Sequence, residues 1–187
     1  MSLWEGSRGE LRIELHCMAI DACDYSFAHL ASEVLPGHMR RLRQSLKDPV
    51  AASTFSKVGV GPSTIAAALG HDADFAGCYV LARDRAPFYV GISRKVIARV
   101  RQHMLGASHE QASLAYAIAK KRMPKSGTRD SAMSDPRFRR EFDKAQRSLR
   151  RATVAFVQID NPLELHLFEP FAAMELDTRA WNTFRTH

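Results

Sequence analysis

Apolar and polar residues alternate near the start of the chain, with Leu11, Ile13 and Leu15 interleaved with Arg12, Glu14 and His16. A period of two predicts an early strand. From about Ser26 the spacing turns helical, and Pro36-Gly37 is expected to break that helix before Met39, Leu42 and Leu46 resume it. Gly77 to Ala82 and Phe88 to Ile92 are two β-forming runs separated by the polar, turn-like Arg83-Asp84-Arg85-Ala86-Pro87, which predicts a hairpin. Ser93 then stands where a cap is needed for a helix to about Leu105, with Val96, Ile97, Val100 and Met104 on its apolar face. The stretch 106–151 predicts helix in two pieces. Leu114, Ala115, Ile118 and Ala119 mark the first, and Phe138, Phe142, Ala145 and Leu149 the second. Pro124 to Thr128 between them is expected to be a mobile loop. Ala152 to Ile159 reads as a third strand, and Asp160-Asn161-Pro162 as the start of a helix with its cap and first-turn proline.

A chain of 187 residues, 45% hydrophobic and 25% charged, can bury a core of its own. No apolar run is long enough to span a bilayer, and the N-terminus lacks a basic segment followed by an apolar one, so no membrane partner and a cytoplasmic location are expected. Cys17, Cys23 and Cys78 cannot all pair within the chain, and none has the short spacing of a zinc knuckle. Cys17 and Cys23 read as buried small hydrophobes. The net charge of +7 is unevenly placed: residues 94–151 hold 16 Lys and Arg against 5 Asp and Glu, a balance of +11, leaving −4 elsewhere. That asymmetry points to a polyanionic partner, since Lys and Arg neutralise phosphates and release counterions. Val58 to Leu69 carries two glycines ahead of a helix start but lacks the Lys-Ser/Thr ending of a phosphate-binding loop. It reads as a surface loop and short helix, with a helix-turn-helix as the competing reading.

Polar and phenolic side chains recur at positions that these elements can gather. Gly77-Cys78-Tyr79 lies on the first hairpin strand and Tyr89-Val90-Gly91 on the second. Arg99 and His103, four apart, share one face of the following helix. Glu169 lies on the helix after the third strand, and Asn182 follows it. This ordered set resembles the GIY-YIG nuclease superfamily, over about residues 76–187. The chain departs from the family pattern in Cys78 for Ile, in Ile92 where many members carry Lys, and in the length of 106–151. Pro170 directly after Glu169 predicts a kink or a new helix start there.

The resemblance implies an α/β (α+β) domain: a small three-stranded, mainly antiparallel sheet flanked by helices, at residues 76–187. A basic helical insertion would occupy about 106–151, and residues 1–75 would form an N-terminal extension. It implies a divalent-metal-dependent endonuclease that hydrolyses DNA phosphodiester bonds, with a weakly active or inactive nucleic-acid-binding module of the same fold as the alternative. In that reading Tyr79 is the general base, Tyr89 positions water or phosphate, Arg99 stabilises charge, and His103 assists. Glu169 holds one Mg²⁺ or Mn²⁺, a hard ion that prefers oxygen and keeps several waters. Glu164 and Glu175 are neighbouring alternatives for that carboxylate. Gly77, Gly91 and Asn182 support the site. Apart from the resemblance, His109 beside Glu110, and His166 three residues before Glu169, read as accessory histidines. Lys120, Lys121 and Arg122 in the basic insertion are the expected contacts to DNA.

Overall fold

The computed structural model describes residues 19–184. The strand expected over Leu11 to Leu15, and Cys17, lie outside them. The described chain is mixed α/β, with a four-stranded antiparallel sheet in the order β1-β4-β2-β3. In chain order the elements are α1 (Phe27–His29), a π-helical turn (Leu30–Val34), α2 (Leu35–Ser45), β1 (Val50–Ala51), a 3-10 turn (Ala52–Ser56) and α3 (Pro62–Ala68). Then come β2 (Gly77–Arg83), β3 (Ala86–Ser93), α4 (Val96–Leu105), α5 (Ser113–Arg122), α6 (Arg129–Ser134), α7 (Pro136–Leu149), β4 (Thr153–Gln158) and α8 (Pro162–Glu175). The sheet thus has one strand more than the three expected, because Val50 and Ala51 pair with Val154 and Thr153 at the edge of β4.

Two prolines behave differently from expectation. Pro36-Gly37 does not break the first helix. The wide π turn Leu30–Val34 sits just ahead of it, closed by Leu35 N–H donating to the Leu30 carbonyl, and the helix runs on through α2. A proline needs a carbonyl moved out of its way, and a wider turn supplies that room. Pro170 likewise lies inside α8, which continues to Glu175, so Glu169 is an interior helical residue and not the start of a new helix. Asn161 caps α8 by accepting from Glu164 N–H at 3.1 Å, as its position before Pro162 predicts.

The sheet separates two apolar layers. Alternation along β2 sends Tyr79 and Leu81 to one side and Cys78 and Val80 to the other. The first side is filled by α4, α5 and α7. The second is filled by α2 and α8 through Leu35, Met39, Leu42, Leu165, Phe168 and Ala172. The 106–151 stretch forms three helices, not two, because Thr128 and Asp135 each cap a new start. On α7, Phe138, Phe142, Ala145 and Leu149 fall on one stripe, and all four are 0% exposed. Fully burying a Phe or Leu side chain is worth about 1.5–3 kcal/mol, so this helix is a major part of the first layer. Cys23 and Cys78 are free and buried, as small apolar residues would be.

Candidate active site

The hairpin sets the site. Asp84 and Arg85 both have positive φ, 51° and 65°, the backbone that a tight two-residue turn between twisted strands requires. The resulting register pairs Tyr79 with Gly91 and Leu81 with Tyr89, so both phenols face the α4 layer. Their ring centroids are 6.2 Å apart. The two motif glycines each have a packing reason. A Cβ at Gly91 would lie 2.5 Å from the Tyr79 hydroxyl, so only glycine lets that ring cross the strand. A Cβ at Gly77 would collide with the Val157 carbonyl on β4.

Helix α4 brings the next two groups. Its first turn is capped not by Ser93 but by Asp74, whose carboxylate accepts from Ile97 N–H at 2.8 Å and Ala98 N–H at 2.9 Å. Ser93 instead exchanges hydrogen bonds with Lys95. An anion against the free N–H groups of a helix start is a charge-assisted cap. It fixes the helix so that His103 Nε2 lies 2.7 Å from the Tyr79 hydroxyl. The ring of His103 also meets the edge of Tyr89, 5.7 Å between centroids. Tyr79 is 1% exposed and His103 0%. Burial, reinforced by the nearby Arg99 charge, lowers the His103 pKa to about 3, so the imidazole is neutral. Burial raises the Tyr79 phenol well above its ordinary value, and Tyr89 adds to that while Arg99 opposes it. The contact is therefore a hydrogen bond between two neutral groups, and the other ring nitrogen, Nδ1, is buried with no partner.

Arg99 is half-buried on the same helix face. Its guanidinium donates to the Gln111 carbonyl at 2.9 Å in the turn before α5, to Ser113 Oγ at 2.8 Å at the start of α5, and to Gln102 Oε1 at 3.2 Å. Its charge reaches Tyr79, Tyr89 and His103 alike. Glu169 comes from the opposite layer, on α8. Its carboxylate acts on Cys78 and Tyr89, raising both. Burial raises the Tyr89 phenol most, and Arg99 opposes the shift. Glu169 is half-buried with no hydrogen-bond or ion-pair partner among the described residues. Burial raises its pKa, and His166 opposes the shift. The two alternatives on the same helix are engaged: Glu164 with His38 Nε2 at 2.7 Å, and Glu175 with Arg43 at 2.7 Å.

Asn182 clasps β3 through both ends of its amide, accepting from Val90 N–H at 2.9 Å and donating to the Val90 carbonyl at 2.7 Å. His166 Nδ1 bonds the Pro162 carbonyl, and His109 lies 3.8 Å from Asp130. Lys120, Lys121 and Arg122 do not form one open patch. Lys120 holds Ser126 and the Gly127 carbonyl, Lys121 lies 4.8 Å over the Trp181 ring, and Arg122 pairs with Glu141 at 3.2 Å. Sequence reasoning missed Asp74, Gln111 and Ser113, since capping signals are local and these partners reach α4 from other segments. It also missed His38, whose hydrogen bond to Glu164 joins α2 to α8.

No group of three His, Cys, Asp or Glu that could enclose a metal occurs among the described residues. A single desolvated carboxylate with no cation of its own fits a hard divalent ion that keeps several waters, and does not fit a closed nitrogen and sulfur site. Comparisons with protein-family models, curated proteins and solved structures find no match to this chain. No described helix is long and apolar enough to cross a membrane.

Proposed function

We propose that this chain is a divalent-metal-dependent endonuclease that hydrolyses DNA phosphodiester bonds on a GIY-YIG-like fold, acting in the cytoplasm. One observation carries the reading: Glu169 is desolvated and without a partner among the described residues, and its charge acts on the Tyr89 phenol that Arg99 also influences, while Glu164 and Glu175 are both paired. A buried carboxylate left without a donor is balanced when a cation joins it. Bound Mg²⁺ or Mn²⁺ supplies a Lewis acid for a phosphoryl oxygen and lowers the pKa of its water.

The chain's own groups do the rest. Arg99 exchanges the Gln111 carbonyl and Ser113 hydroxyl for phosphate oxygens and stabilises the charge that develops on them. Tyr89 is the phenol whose pKa responds to both Arg99 and Glu169, and it is less enclosed than Tyr79. We therefore assign water contact and proton acceptance to Tyr89. Tyr79, sealed behind it, is a positioning residue that works with His103. The +11 segment 94–151 supplies the field that draws a polyanion in.

The test is supercoiled plasmid with Mg²⁺ or Mn²⁺, with and without chelator. Nicking is expected with metal, abolished by chelator and by Glu169→Ala, and strongly reduced by Arg99→Ala. Either variant cutting at the wild-type rate removes this mechanism. A second reading, a nucleic-acid-binding module without turnover, is favoured by the protein acceptors that already hold the Arg99 guanidinium. Salt-sensitive DNA binding with no nicking in either ion selects it.

A further inference from the structure

Beside the hairpin turn lies a groove of about 380 Å³, lined among others by Arg83, Phe88, Arg122 and Trp181. Its two aromatic rings are half-buried, and each carries a cation. The Arg83 guanidinium lies 5.5 Å over Phe88 and donates to Ser148 Oγ at 2.8 Å, and Lys121 Nζ lies 4.8 Å over Trp181. Neither of those two cations is paired with a carboxylate among the described residues, whereas Arg122 is held by Glu141, and Asp84 lies at the rim.

The placement of Phe88 is a feature of the strand pairing. Leu81 pairs with Tyr89 and Ala82 with Pro87, so Phe88 is an extra residue with no partner across the hairpin. Such a bulge re-aims a side chain, and here Phe88 joins Tyr89 among the groups packed on the α4 layer. Trp181 directly precedes Asn182, which clasps Val90. The groove is therefore one residue along β3 from Tyr89, and one residue along the C-terminal segment from the Asn182 clasp on Val90.

We propose that this groove is a subsite for one unpaired nucleotide of a DNA strand, next to the phosphate handled by Tyr89, Arg99 and Glu169; it rests on the nuclease reading above. A base takes the ring faces of Phe88 and Trp181 when Arg83 and Lys121 swing off them, and the two released cations are then available to the flanking phosphates. A base inside a duplex has both faces covered by its neighbours, so only an unpaired base can use the rings. The substrate class is thus DNA with a single-stranded flap, gap or overhang beside the cleavage point.

The experiment uses a duplex with a short single-stranded flap carrying 2-aminopurine, whose fluorescence is quenched on stacking, bound in the presence of chelator. With the wild-type chain the flap probe is quenched. Phe88→Ala and Trp181→Ala each weaken flapped-duplex binding by about tenfold and leave a fully paired duplex within about twofold. Trp181→Phe keeps the quench, which separates loss of the ring from loosening of the C-terminal segment. Equal weakening on both DNAs, an unchanged quench in the alanine variants, or free mononucleotide bound as tightly as the flap would overturn the subsite. Failure of the nuclease reading looks different: no cutting by wild type in Mg²⁺ or Mn²⁺, with the quench intact.

Discussion

On the sheet face that α4 covers, the Tyr79 hydroxyl ends 2.7 Å from His103 Nε2, and the helix that carries His103 is pinned by Asp74. On the face that α8 covers, Glu169 ends in no such contact among the described residues, although its neighbours Glu164 and Glu175 do. The first face behaves as a finished interior at its phenol: Tyr79 and His103 are neutral and bonded to each other, and His103 Nδ1 is the buried side-chain atom left unpaired among the described residues. The second holds one charged group whose stabilisation folding has not supplied. Gly91, His103 and the α4 cap on the first face govern stability, Glu169 on the second governs activity, and substitutions can be chosen to test that division.

The largest expected effect is on activity alone. Glu169→Gln should lower DNA nicking by about 100-fold or more, the scale of losing one charge-stabilising group in a reaction site. Its thermal midpoint should hold or rise. The sign follows from the carboxyl pKa, raised on folding, so the ionised form costs stability above its unfolded pKa and a neutral amide removes that cost. A fall in the midpoint would mean that the carboxylate has a structural partner.

Gly91→Ala should destabilise the fold by about 1–3 kcal/mol in denaturant titration, because the added methyl meets the buried phenol and has nowhere to go. The same substitution at Gly70, where nothing lies within 4 Å but φ is +78°, isolates the backbone cost from the packing cost.

Acid provides the third comparison. His103 titrates at about 3 in the fold against 6.5 as the ordinary value, so the unfolded chain binds its proton first. Stability is complete above about pH 6.5 and is lost as pH falls toward 3, at about 1.4 kcal/mol per pH unit for this group. His103→Gln should flatten the slope in that window. A slope equal to the wild-type one would place the acid sensitivity elsewhere, and His38, also lowered by burial, is the first alternative. The smallest effect is the removal of the α4 cap. Asp74→Ala should cost about 1 kcal/mol and Asp74→Asn less, since asparagine is also a good cap.

What the sequence revealed follows the range of the interactions involved. The hairpin, β4 and the start of α8 are written locally, in β-branched runs, a turn with two left-handed positions and an Asn-Pro cap. They appear where the residues say. The fourth strand is not legible, because two residues, Val50 and Ala51, become a strand only by meeting Val154 and Thr153 about a hundred positions later. Pro36 and Pro170 read as breaks because propensity treats a proline in isolation. A π turn accommodates the first, and α8 runs through the second. The site divides in the same way. The motif residues are visible as letters, and the reason for Gly91 emerges only once the Tyr79 ring is seen lying across it. The pairing that distinguishes Glu169 from Glu164 depends on His38, 126 positions away. Lys120, Lys121 and Arg122 looked like open charge in the sequence, and each has a local partner in the fold.

The stripe along α7 limits how this chain can be re-engineered. Excising residues 106–151 to reach a minimal scaffold would strip the lining from beneath β2 and leave Met104 and Leu81 facing water. Grafting that helix elsewhere would expose Phe138, Phe142 and Leu149 as a sticky ridge.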